Sequence, residues 1–160
     1  MAKKSKSSQF PQNRSQSTKP KFVPPVTSSQ RVQPEQMSLN AHSHIQLYLQ
    51  TAQKPYLEQE DLNAILRLSQ HLRIFGLLSA VGYINQSNDQ NGKVRNRTVP
   101  IWQCLLGELI APGERLSKQD LREKIVKMTR QNPPEYMAMW RRSLILAPHW
   151  NFWARAYAQT

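Results

Sequence analysis

The side chains able to do chemistry in this 160-residue chain are few and scattered. The histidines are His42, His44, His71 and His149, and the first two stand two positions apart, which on a helix points them to different sides. One cysteine, Cys104, supplies neither a disulfide framework nor a cysteine-rich zinc site. The chain has no H-E-x-x-H, no G-x-S-x-G and no glycine-rich loop, and its five glycines are too few for a backbone cradle around nucleotide phosphates. Cys104, beside Leu105 in an apolar helical segment, reads as a small buried hydrophobe. His149 as general base of a metal-free ribonuclease is the one enzymatic reading left open. With no catalytic constellation assembled, neither an enzyme nor a cofactor is expected.

Positive charge is what the sequence does supply: 22 Lys and Arg against 10 Asp and Glu, a net charge of +12 and a pI near 10.3. Such an excess speaks about partners, and nucleic acid is the commonest polyanion in a cell. Lys93, Arg95 and Arg97 fall in one run with no acid after Asp89. Arg115, Lys118, Arg122, Lys124, Lys127 and Arg130 share a stretch with Glu114, Asp120 and Glu123, and the mixture makes Lys124 and Lys127 a solvated face. Arg141, Arg142 and Arg155 lie among tryptophans. At about 100° per residue, Arg142 points roughly 180° from the Trp140 stripe and Arg155 roughly 150° from the Trp150/Tyr157 stripe, so both face solvent or a ligand. Arg73 falls on an apolar stripe and is either buried and paired or snorkels to an interface. The candidate phosphate contacts are therefore Arg73, Lys93, Arg95, Arg97, Lys118, Arg122, Arg141, Arg142 and Arg155. Trp102, Trp140, Trp150 and Trp153, at helical spacing, read as core rather than as base-stacking platforms.

The elements carrying these residues read as helices punctuated by proline. No stretch alternates with period two, so strands are not expected. A first helix spans about 41–53 and stops before Pro55. A second runs from about 57 into the eighties, with Gly76 in its apolar stripe marking either close approach of another helix or a helix end. Residues 86–96, with Asn91-Gly92, read as a loop. A third helix is opened by Thr98 and Pro100 and ended by Pro112-Gly113. Ser117, with Asp120 three residues on, resembles a capping box and starts a fourth helix to about Arg130, with Leu121, Ile125 and Met128 inward. Pro133-Pro134 opens the last region, where two aromatic stripes about 100° apart predict a kink or break at Pro148.

The expected fold is all-α: a compact bundle of five to six helices over residues 41–160, preceded by a disordered basic tail over 1–40. That tail holds nine apolar residues, five prolines, eight serines and six glutamines, with seven Lys and Arg against Glu35 alone. It cannot bury enough apolar surface to offset its ordering entropy. There is no apolar run of about 18 residues and no apolar stretch after the basic start, so the expectation is a cytoplasmic protein with no membrane partner.

Two strings carry a resemblance. Leu72-Arg73-Ile74-Phe75-Gly76-Leu77-Leu78 looks like the arginine, two residues, glycine-leucine helix of the small α-helical subunit, the fifth, of the type III-B CRISPR Cmr effector complex. Glu135-Tyr136, Arg141 and the closing Trp153-Ala154-Arg155-Ala156-Tyr157 resemble that family's C-terminal segment. The resemblance covers about residues 41–160; Arg142 replaces a frequent acid, and Pro148 and the tail depart from the pattern. It implies a non-catalytic subunit that lies against backbone and large subunits and neighbouring copies of itself, and lines the channel where CRISPR RNA pairs with target RNA. A subunit of a sister type III complex (III-A or III-D), a free-standing RNA- or DNA-binding helical protein and a scaffold without nucleic-acid contact are the alternatives.

Overall fold

A computed structural model describes residues 34–86 and 92–159. Six helices appear in chain order: α1 (Pro34–Ala52), α2 (Gln59–Phe75), α3 (Leu77–Ile84), α4 (Gly92–Ile110), α5 (Lys118–Gln131) and α6 (Pro133–Ala156). The fold is all-α, as expected. The only β-type pairing among the described residues is a bridge in which the Leu57 N–H donates to the Tyr157 carbonyl at 2.8 Å and the Gln159 N–H to the Leu57 carbonyl at 3.1 Å. That bridge fastens the end of α6 to the α1–α2 connection. No described helix is long and apolar enough to cross a membrane.

The boundary expected at residue 40 is too late. Helix α1 starts at Pro34, whose missing N–H is no loss in a first turn, and Glu35 sits favourably at the positive helix end. Met37, Ala41, Ile45, Tyr48 and Leu49 then form its buried stripe. Residues 1–33, the rest of the expected tail, lie outside the described residues. Helix α2 opens at Glu58, whose N–H is accepted by Asp61 at 3.0 Å. Asp61 is 1% exposed and also takes the Lys54 ammonium at 2.9 Å and the Tyr48 hydroxyl at 3.4 Å. One buried carboxylate thus fixes the α1–α2 corner.

The single helix expected from 57 into the eighties ends at Gly76. Its φ of 87° and ψ of 175° suit only glycine, and a Cβ there would stand 3.4 Å from the Tyr136 hydroxyl. Tyr136 in turn accepts the Leu78 N–H at 3.1 Å, locking the α2–α3 corner to α6. The expected loop over 86–96 is also shorter: 87–91 lie outside the described residues, and α4 begins at Gly92, with Pro100 inside it rather than at its start. Helix α5 starts as expected, the Ser117 hydroxyl accepting the Asp120 N–H at 3.1 Å. Of the kink or break expected at Pro148, the break is excluded: helix α6 continues through it. Pro148 is exposed, as is Pro100, so the carbonyl that each leaves without a partner in the preceding turn can turn to solvent.

An unbroken α6 puts its two aromatic stripes against different neighbours. Each indole N–H finds an acceptor: Trp102 the Ala64 carbonyl at 2.9 Å, Trp140 the Leu72 carbonyl at 2.8 Å, Trp150 the His44 Nδ1 at 3.1 Å and Trp153 the Ser38 hydroxyl at 3.0 Å. The tryptophans are therefore core and clasp residues, joining α4 to α2 and α6 to α2 and α1.

His44 accepts that bond only while its ring is neutral. Burial first, and the nearby Arg142 charge second, lower its pKa to about 4. A histidine with a depressed folded value keeps its full contribution above the unfolded value near 6.5 and loses it as pH falls toward 4. The expected loss across that window is about 2 kcal/mol, discounted for the partial exposure of the ring. Urea denaturation at pH 7 and pH 4.5 measures it, and His44→Gln, which keeps an acceptor without a titrating group, should flatten this part of the pH dependence.

Candidate nucleic-acid interface

Inward positions of α6 (Ser143, Leu146, Ala147, Trp150 and Ala154) are buried and settle the helix's rotation. The opposite stripe, Arg141, Ile145, Pro148, Phe152 and Arg155, repeats at spacings 4, 3, 4 and 3 and is exposed throughout. At about 1.5 Å per residue its two arginines lie about 21 Å apart along the axis. That is the length of about six stacked nucleotides at 3.4 Å each. Phe152 is 60% exposed and meets Trp153 edge-on, with centroids 5.2 Å apart and planes at 86°, so one face of its ring is free to stack. No Asp or Glu follows Glu135 in the chain. The stripe can neutralise phosphates at both ends and offer an aromatic and an aliphatic surface between them.

Arg142 is exposed on the flank of that stripe nearer α1, where its charge acts on His44. Arg73, in the last turn of α2, is exposed rather than buried, because the helix ends three residues later. Ile74 and Phe75 beside it are 69% and 65% exposed, and Leu78 just beyond Gly76 is exposed too. This leaves an apolar cluster next to an arginine at the α2–α3 corner.

The remaining candidates divide. Lys93, Arg95 and Arg97 stand on the first turns of α4, not on a loop. The Arg95 guanidinium lies over the Tyr83 ring, 5.5 Å from its centroid. Arg97 is neutralised: it pairs with Glu58, and with Glu60 at 2.8 Å. Arg122 is likewise paired, with Glu123 at 3.1 Å, and Lys124 meets Glu114 at 3.7 Å. Lys118 is exposed at the start of α5, its carbonyl accepting from Asn85 at 3.0 Å. Among the described residues, Arg73, Lys93, Arg95, Lys118, Arg141, Arg142 and Arg155 have no carboxylate within ion-pair distance. These seven keep their charge for a ligand; Arg97 and Arg122 do not.

Long acid-free stretches explain the division. From Leu62 to Gln86, from Gly92 to Gly107 and from Tyr136 onward there is no Asp or Glu, and these stretches form most of α2, α3, α4 and α6. Helix α2 packs on both α4 and α6. Carboxylates are concentrated instead at the start of α2 and around α5.

Three of the groups able to do covalent chemistry, Cys104, His42 and His71, are held otherwise. Burial, aided by Glu108, pushes the Cys104 thiol up to about 11, far from a reactive thiolate. His42 bonds the Tyr157 hydroxyl at 2.7 Å and His71 the Ser79 hydroxyl at 3.0 Å. Three or more His, Cys, Asp or Glu side chains suited to a metal do not converge among the described residues. Sequence reasoning missed Ile145, Phe152 and Arg67. For the first two the 4-3-4-3 spacing from Arg141 to Arg155 was the available signal; Arg67 had none, since its partner Thr98 is 31 positions away. Comparison of the chain with known protein families, with curated proteins and with solved structures finds no match.

Proposed function

We propose that the chain is a non-catalytic small subunit of a type III CRISPR RNA-guided effector, of the type III-B Cmr kind, that binds the RNA phosphate backbone and bridges neighbouring subunits. The α6 stripe carries this reading: at both ends arginines that have no carboxylate partner among the described residues, Ile145 and Phe152 between, and no acid in the rest of the helix. Such a surface reads charge and stacking, so sequence recognition is left to pairing between guide and target. The apolar cluster of Ile74, Phe75 and Leu78 beside Arg73 supports contact with backbone subunits or neighbouring copies, as a non-polar patch rimmed by charge does at protein interfaces. The string Leu72–Leu78 that resembles the Cmr subunit is this same corner.

Fluorescence anisotropy with unstructured RNAs of unrelated sequence tests the binding half of the proposal. Affinity should be similar across sequences and fall steeply with salt. Phe152→Ala should weaken binding about tenfold, one lost stacking contact, while leaving the salt slope unchanged because no charge is removed. An unaltered affinity in Phe152→Ala would remove the stripe as the contact surface. Assembly is tested separately, by co-purification with a guide-containing effector. A lone chain that binds RNA at roughly nanomolar affinity in physiological salt and joins no effector would favour the free-standing binding protein.

A further inference from the structure

A concave surface, apart from the α6 stripe, lies between the start of α2 and the first turns of α4. It is a cleft of about 420 Å3 lined by Glu60, Asn63, Arg67, Lys93, Asn96 and Arg97, within the roughly 300–1,000 Å3 range of small-ligand sites. Its cations are not equivalent. Arg97 is balanced by Glu58 and Glu60. Arg67 donates at 2.9 Å to the Thr98 hydroxyl, which is itself 1% exposed and anchored to the Val94 carbonyl at 2.7 Å. A neutral partner fixes the guanidinium without cancelling its charge and leaves other N–H donors free. Lys93 is exposed and has no carboxylate partner among the described residues. Asn63 and Asn96 bring amide donors, and the Asn63 oxygen is already taken by Gln59 at 3.2 Å. The first turn of α4 carries no acid.

We propose that this cleft binds a phosphomonoester, with Arg67 and Lys93 holding the phosphate and the two asparagine amides donating to the attached sugar or base. Two cations that line one cleft and have no carboxylate partner among the described residues match a group of charge about −2 rather than the single charge of a backbone diester. The ligand is a free nucleotide or the phosphorylated end of an RNA strand. The site is separate from the α6 stripe and does not depend on effector membership.

Titration calorimetry on the full chain tests it with adenosine 5′-monophosphate, adenosine and inorganic phosphate. The monophosphate should bind at least about tenfold more tightly than adenosine. Arg67→Ala and Lys93→Ala should each cost about tenfold, and Glu60→Gln, which removes the one lining carboxylate, should tighten binding. Lys93 is exposed, so its variant should melt like the parent chain even if the Arg67 variant does not. Comparing 5′-phosphorylated with 5′-hydroxyl RNA identifies the source: a gain equal to that of the monophosphate over adenosine assigns a strand end, and no gain assigns a free nucleotide. Equal affinity for the monophosphate and adenosine, or a Lys93→Ala variant that binds as the parent does, overturns the proposal. Substitutions on the α6 stripe should leave monophosphate binding unchanged, which keeps this result separate from the backbone-binding one.

Discussion

Replacing Arg141, Arg142 and Arg155 together with glutamine should lower RNA affinity by roughly two to three orders of magnitude at about 50 mM salt, and by little near 1 M. Each lost single-strand phosphate contact reduces the salt slope by about 0.7, so the triple variant should flatten it by about 2. The effect is large because none of the three arginines has a carboxylate within ion-pair distance among the described residues. Their side chains are exposed, so glutamine should leave the fold intact. Arg122→Gln is the internal control: its charge is already matched by Glu123, and its loss should change the slope far less. Anisotropy across a salt series reads both quantities. Equal slopes for the triple variant and the parent chain would place the RNA elsewhere.

The largest effect on stability is expected at Asp61. Its carboxylate is 1% exposed and serves three donors from three directions: the Lys54 ammonium, the Glu58 N–H and the Tyr48 hydroxyl. The same burial and the Asp61 charge raise the Tyr48 pKa well above its ordinary value, so the phenol stays a donor. Asp61→Ala removes the first-turn bond of α2, worth about 1 kcal/mol, and leaves Lys54, beside a buried hydroxyl, with only the more distant Glu58 carboxylate at 3.9 Å as counter-charge. The total expected is about 3 kcal/mol, since Lys54 is partly solvated. Melting should fall by roughly 10 °C. Asp61→Asn, which keeps an acceptor, should cost about half as much. Urea unfolding with an unchanged m value measures both, and a loss below about 1 kcal/mol for Asp61→Ala would show that the corner is held by other contacts.

How much of this was legible in the sequence depended on whether the cue was local. Ser117 and Asp120 announced α5 because a side-chain cap needs only three residues of context. The all-α architecture followed from apolar periodicity. Helix α1 was read too short because its first turns share the polar composition of the preceding segment, although Pro34 and Glu35 are themselves helix-start residues. Pro148 looked like a break because local chemistry penalises it, yet its penalty falls on exposed backbone while Trp150 and Trp153 are clasped to α1 from the same helix. At Gly76 the sequence could not choose between close packing and a helix end; the structure shows both, a positive φ that ends α2 and the Tyr136 and Trp140 side chains of α6 packed against it. The candidate arginines were recognisable as cations, but which of them keep their charge depended on distant carboxylates, as Arg97 with Glu58 and Glu60 illustrates. The cleft needed Arg67 and Lys93 on two helices to meet, and spacing alone does not report that.

The central claim is that the helical bundle itself, through the exposed stripe of α6, grips the RNA backbone. Photo-crosslinking of the full chain to 4-thiouridine-substituted RNA, with the modified peptides located by mass spectrometry, tests it most directly. The account predicts crosslinks concentrated in the α6 peptide around Phe152, weakened in Phe152→Ala. Crosslinks confined to residues 1–33, with none on α6, would contradict it.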